Sequence, residues 1–239
     1  MPVGMHILRD TNRFLFRLLS SDHVEETVRV ACGVLARREP MSKALGISAA
    51  ELLPYVKDCV TASCDDELGV IAIDRWSGRV VGFSLAKDCL SSLQVQVPGK
   101  LLPMQEVTST LLRWYLRDSP PRRFGVLGHE LMTGVASEQP DLEQELMAVS
   151  TALLRARGFQ RSIAMATGAH SQQLHAALGA SRVYSIGYRE FISTQDQQRP
   201  FIALSGQACV LMAKELQREV IHRALVGSWM HSPERALAA

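Results

Sequence analysis

The chain has 239 residues, of which 47% are hydrophobic and 21% charged, and its formal net charge is +2 at pH 7. That balance is ample for one sizeable core and offers nucleic acid no bulk electrostatic attraction. No apolar run approaches the roughly 18–20 residues that span a bilayer, and arginines and Asp10 interrupt the N-terminal stretch, which therefore lacks the continuous apolar region of a secretory signal.

Phe14 to Leu19 (FLFRLL) reads as a first strand. Asp22 followed by Glu25 has the form of a capping box. It would open a helix through Val24, Val28, Ala31 and Leu35 that ends before Pro40, because proline drives the residue ahead of it out of helical geometry. A second helix starts near Ser48, with Leu52, Leu53, Val56 and Val60 on one side, and Pro54 is tolerated only near its first turn. Leu68 to Ile73 and Arg79 to Leu85, joined through Ser77-Gly78, make the clearest hairpin. Leu101 to Leu116 reads as a helix with Val107, Leu111, Leu112 and Tyr115 in register, ended by Ser119-Pro120-Pro121. Phe124 to Val135 is the expected central strand, and the Arg79–Leu85 strand should lie antiparallel to it.

From Leu142 on, Leu146, Val149, Leu153 and Leu154 form an apolar stripe, closed by Arg155, Arg157 and Gly158 as a helix C-terminus prefers. That helix should pack on the sheet through Leu146, Val149 and Leu153. Ile163 to Ala166 is a short buried strand, and Ser171 to Leu178 a helix stopped by Gly179. Arg182 to Phe191 reads as a strand bearing Tyr184 and Tyr188, Ala208 to Ala213 as the last strand, and Lys214 to Val226 as a C-terminal helix before a tail. With no repeat or linker, the expectation is one α/β domain over residues 1–239, its core about 14–216. The five cysteines are odd in number and include no CxxC pair, which points to reduced thiols in a cytoplasmic protein with no metal site.

Arg157-Gly158-Phe159 closing one helix and Leu178-Gly179-Ala180 closing the next resemble, in order and spacing, the core of the GCN5-related N-acetyltransferases (GNATs). Three further features are most similar to the insect-type arylalkylamine, or dopamine, N-acetyltransferases. An early helix ends in Arg38-Glu39-Pro40, a long helix precedes the coenzyme strand, and a late strand reads Val210-Leu211-Met212-Ala213-Lys214-Glu215. The resemblance covers Phe14 to Leu216. It implies a mixed, mostly antiparallel sheet flanked by helices, and transfer of an acyl group from acetyl-CoA to a primary amine of arylalkylamine type by direct attack. It makes Glu39 the general base and places the family's two hydroxyls on Thr167 and Ser171. A proton-donating tyrosine of the wider superfamily falls on His175, a residue that titrates near neutrality. Leu131, Thr133 and Val135 on the strand, with Asp141, Leu142 and Glu143 on the turn after it, take the coenzyme-binding positions. The expected partner is a small-molecule amine, with neither nucleic acid nor membrane, and the chain a monomer or homodimer.

Each site residue also has a plain structural reading. Glu39 could be a surface acid beside two arginines, Ser171 a helix cap, and His175 a half-exposed helix residue. Of His129 and Glu130, at most one should face substrate, because alternate strand residues point to opposite faces.

The coenzyme turn is where the chain departs from the resembled pattern. Its two glycine positions fall on Asp141 and Glu143, its first position on Glu138, and no lysine or arginine occurs from Phe124 through Leu154. Glycines there let backbone N–H groups approach a diphosphate, whereas carboxylates repel it. The expected affinity for acetyl-CoA is therefore worse than about 100 μM. Two classes of function stay open: an acyltransferase, and a catalytically inactive protein of the same fold that binds or regulates.

Overall fold

The computed structural model describes residues 7–91, 95–118, 127–136 and 140–216. Its strands are β1 (Ile7–Asp10), β2 (Phe14–Leu18), β3 (Val70–Asp74), β4 (Val80–Asp88), β5 (Leu127–Val135), β6 (Arg161–Ala166), β7 (Ser181–Gly187) and β8 (Ala208–Glu215). They form one sheet in the order β1-β2-β3-β4-β5-β6-β8-β7. Every neighbouring pair is antiparallel except β5 with β6. Its helices are α1 (Val24–Arg38), α2 (Pro40–Ala44), α3 (Ala49–Asp65), α4 (Leu102–Asp118), α5 (Pro140–Ala156) and α6 (Ala169–Ala177). No described helix is long and apolar enough to cross a membrane.

Helices cover both faces of the sheet, and the strand alternation shows which residues meet which layer. Ile71 and Ile73 of β3 pack with Phe83 and Leu85 under Val28 and Ala31 of α1 and Leu52 and Val56 of α3. Val70 and Ala72 point the other way, to Leu142, Leu146, Val149 and Leu153 of α5. Every residue of β3 is thus buried, which is why the segment reads as a continuous apolar run. On the α1 side, α4 lays Val107, Leu111 and Tyr115 against Leu127, Ile163 and Leu211. Gly158 and Gly179, with φ of +88° and +85°, close α5 and α6 in the left-handed conformation expected of them.

The expected hairpin, the antiparallel contact of β4 with β5 (Gly82 opposite Val135) and the apolar face of α5 are all present. Several local expectations are corrected. Ser21–His23 form a single 3-10 turn and no side chain caps it, so the Asp22–Glu25 box is not made. A reciprocal box forms instead at α3, where the Ser48 hydroxyl accepts from Glu51 N–H and Glu51 from Ser48 N–H. Pro54 lies beyond the first turn of α3, on its exposed side, where water can satisfy the carbonyl its ring leaves unpaired. Lys214 and Glu215 continue β8 rather than start a helix, because β6 takes them into its ladder opposite Ser162 and Arg161. Leu216 follows the strand without helical structure, and the remainder of that expected helix, the Ser119-Pro120-Pro121 stop, Phe124 to Val126 and Glu138 lie outside the described residues.

Candidate active site

The site is made by a break in the sheet. Parallel pairing of β5 with β6 runs from Leu127 opposite Arg161 to Glu130 opposite Ala164, and ends there. On the β4 side the register slips at the same place: Ala86 faces Glu130 and Leu85 faces Met132, which leaves Leu131 as a bulge. Beyond Glu130 the strands part. Among the described residues, Leu131–Val135 pair only with β4, and apart from the Val135 carbonyl, which Arg38 holds, their backbone groups toward β6 are open to a ligand.

Two connected spaces fill the gap. An inner chamber of about 180 Å³ is lined by Met41, Tyr55, Met104, His129, Met132 and Met165, among others. An outer mouth of about 530 Å³ is bordered by Arg37, Arg38, Lys43, Val135 and His170. Glu39, Thr133, Glu143, Thr167 and Ser171 line both.

Glu39 reaches this junction for a local reason. Pro40 begins α2 and holds Glu39 extended, at φ −71° and ψ 122°, between two helices. Its side chain then caps α2, Oε1 accepting from Met41 N–H at 3.0 Å and Oε2 from Ser42 N–H. Each oxygen keeps a lone pair beyond the one used by the cap. Tyr55 of α3 stands in the same chamber, and burial pushes its phenol well above the usual range, so it stays protonated.

Both His129 and Glu130 line the chamber, against the expectation that at most one would. The chamber lies between the strands rather than on one face, so it touches both sides of β5. Burial, helped by Lys87, pushes His129 down to about 4, so the ring is neutral at pH 7. It has no side-chain hydrogen bond among the described residues. On the opposite face, His175 Nδ1 lies 3.9 Å from Glu130 Oε2. Burial lowers the His175 pKa, Glu130 works against that shift and Lys214 with it.

Thr167 directly follows β6, and its carbonyl accepts a 2.7 Å bond from the buried Tyr188 hydroxyl. The Ser171 hydroxyl donates to the Gly168 carbonyl at 3.0 Å and accepts from Gly168 N–H at 3.3 Å, so it holds the start of α6 while lining the cleft. Glu143 turns into the cleft, its side chain 15% exposed, with Oε2 3.1 Å from His170 Nε2. The cleft therefore gathers Glu39, Thr167, Ser171, His175, Leu131, Thr133 and Glu143, with Val135 at its mouth. Two candidate positions stay out: Leu142 is 2% exposed with its side chain in the α5 core, and Asp141 is exposed at the start of α5. Tyr55 and Lys87 were not singled out in the sequence. A phenol inside the apolar stripe of Leu52 and Val56 is the signal that could have found the first.

Half of a coenzyme A molecule fits this place. The amides of a pantetheine arm match an open strand edge, and the edge at Leu131–Val135 has that chemistry. The diphosphate does not fit the helix that follows. Asp141 and Glu143 sit in the first turn of α5, and a carboxylate about 5 Å from a phosphate costs roughly 1–3 kcal/mol; Glu145, further on, is paired with Arg9. The nearby cations belong to the facing wall, where Arg38 Nη1 donates to the Val135 carbonyl at 3.2 Å.

No protein-family profile matches the sequence, and no curated protein matches it. Solved structures do. The C-terminal condensation domain of Ebony, in complex with beta-alanyl-dopamine, superposes with a TM-score of 0.72 at 19% identity, covering 84% of this chain and 98% of that one. Arylalkylamine N-acetyltransferase 2 from Aedes aegypti gives 0.69 at 18% identity, covering 87% and 100%. The polyamine N-acetyltransferase of Drosophila melanogaster gives 0.62 at 15% identity, covering 84% and 99%. At these identities the likeness is one of architecture: the chain has the GCN5-related N-acetyltransferase fold, in the form seen in the insect arylalkylamine N-acetyltransferases.

Proposed function

We propose that this protein transfers an acyl group from a pantetheine thioester, acetyl-CoA being the simplest, to the nitrogen of a small primary amine. The observation that carries the reading is the convergence of Glu39, Thr167, Ser171 and His175 on the open edge of β5, from the α1–α2 junction, the end of β6 and α6. The structures of similar fold include arylalkylamine and polyamine N-acetyltransferases and a domain holding beta-alanyl-dopamine, which supports an arylalkylamine-like acceptor.

When bound, the thioester supplies an activated acyl carbon with a thiolate leaving group. The chain supplies the rest. Met41, Met104, Met132 and Met165 wall the chamber and favour an amine that has shed its water. Glu39 accepts the amine's proton at a carboxylate oxygen. The open backbone N–H groups of β5 are suited to polarise the acyl carbonyl. Burial keeps His175 neutral, so its ring N–H can donate a hydrogen bond to the departing sulfur, and the proton that Glu39 took from the amine passes to that thiolate. A binding module of the same fold is the second reading, favoured by Glu143 standing in the cleft and by the cap bonds on both Glu39 oxygens.

Thiol release from acetyl-CoA and from acetyl-pantetheine, with and without arylalkylamines and polyamines, decides between them. The expected result is amine-dependent release that Glu39→Gln slows by about 10²-fold, the usual scale of a general base. Unchanged turnover in that variant removes Glu39 from the reaction. No amine-dependent release from either donor favours the binding module.

A further inference from the structure

We infer that the acyl donor is recognised through its pantetheine arm and not through its nucleotide, so that a thioester without the adenosine diphosphate serves this protein at least as well as acyl-CoA. The inference rests on the acyl-transfer reading above and narrows it to a class of donor.

Three features on separate elements converge on it. The first is what is kept: the open edge from Leu131 to Val135, a row of neutral donors and acceptors next to a Met-lined chamber, is the surface a chain of amides and methylenes requires. The second is what is lost. A helix N-terminus attracts phosphate only while its N–H groups lack a negative partner. At α5 that partner is built in, as Asp141 and Glu143 occupy its first turn. Glu143 is also fixed in the cleft itself, lining the chamber and the mouth, with His170 from the first turn of α6 at 3.1 Å. A diphosphate laid against α5 would meet a carboxylate that is 15% exposed and already held in place. The third is where the cations are. Arg37, Arg38 and Lys43 stand on the facing wall, and Arg38 is bonded to the Val135 carbonyl. Arg37 and Lys43 are exposed, so water and salt weaken their pull on a distant charge. They offer a terminal hydroxyl or phosphate a partner at the mouth, whereas the nucleotide beyond it brings further negative charge to a mouth that Glu143 also lines.

The test is a ladder of donors on the full chain: acetyl-pantetheine, acetyl-4′-phosphopantetheine and acetyl-CoA, compared by kcat/KM with one amine. The expected result is that acetyl-pantetheine or its phosphate matches acetyl-CoA to within about threefold, or exceeds it. Glu143→Gln should then raise the ratio of the acetyl-CoA value to the acetyl-pantetheine value by about tenfold, since one carboxylate near a phosphate has that reach. Because the ratio is taken within one protein, a general loss of folding or turnover cancels. An acetyl-CoA preference above about thirtyfold in the unmodified protein, or a ratio that Glu143→Gln does not move, overturns the inference and leaves acyl transfer standing. If no donor is consumed, acyl transfer itself fails, and calorimetric titration with pantetheine and with CoA decides donor recognition alone. Equal or tighter binding of pantetheine supports the inference, whereas tighter CoA binding, or binding of neither, overturns it.

Discussion

His129 should make the fold sensitive to mild acid, and the size of the effect follows from where the ring sits. Its pKa falls from 6.5 to about 4, chiefly through burial, and Lys87 adds in the same direction. The unfolded chain therefore takes up a proton below pH 6.5 that the folded chain refuses. Stability from this group is complete above that pH and is lost as the pH falls toward 4. At 1.36 kcal/mol per unit, the loss is about 2 kcal/mol by pH 5 and about 3 kcal/mol by pH 4. Against a typical unfolding free energy of about 5–15 kcal/mol, that is enough to read in a urea titration. Midpoints at about pH 7, 6 and 5 would be compared for the unmodified protein and for His129→Phe, which keeps a ring and removes the titration. The variant's curve should be flatter by the amounts given. Residual slope is expected, because burial also lowers the pKa of His175. If the two curves run parallel, the ring is not held neutral and the chamber is not closed around it.

Two substitutions test the frame of the site. Tyr188→Phe removes the 2.7 Å bond to the Thr167 carbonyl and should cost about 1–2 kcal/mol in chemical denaturation, with a change near zero showing that Thr167 is held by other means. Gly134→Ala places a methyl 2.7 Å from Val34 Cγ1 and 3.1 Å from Phe83 Cζ, so α1 or β4 must shift. A loss of about 1–3 kcal/mol is expected, and an unchanged melting temperature would mean that α1 is packed more loosely than described.

Much of this molecule was legible because its elements obey simple periodicities. The stripe from Leu142 to Leu154 gave α5 its buried face, and Gly158 and Gly179 marked two helix ends where a left-handed residue is required. Glu39 was singled out by the resemblance of Arg38-Glu39-Pro40 to a family motif, and the break that Pro40 was expected to force does fall there, although the short helix that Pro40 opens was not foreseen. What stayed hidden depends on partners distant in sequence. The bulge at Leu131 arises from the pairing of β5 with β4, and the cleft from the parting of β5 and β6, and no local pattern announces either; His129 and Glu130 do alternate, but a cleft between strands meets both faces. The first strand, Ile7–Asp10, is a short, largely exposed edge that β2 recruits. Lys214 and Glu215 looked helical next to a charged segment and became strand because β6 offered them a ladder. Asp22 and Glu25 have the same spacing as Ser48 and Glu51, yet only the second pair closes a box, because a 3-10 turn takes the place of the first.

The ending of the β5–β6 ladder at Ala164 divides the sheet into two panels of unequal width. Five strands, β1 to β5, are sewn together by antiparallel ladders, and so are the three strands β6, β8 and β7. Between the panels, the described backbone bonds run only from Leu127 to Glu130. Side chains span the same join: α4 packs on Leu127, Ile163 and Leu211 together, and Ala86 meets Leu154, Phe159 and Leu216. A ligand laid along the free edge of β5 with its other side toward β6 acts as a brace between the panels.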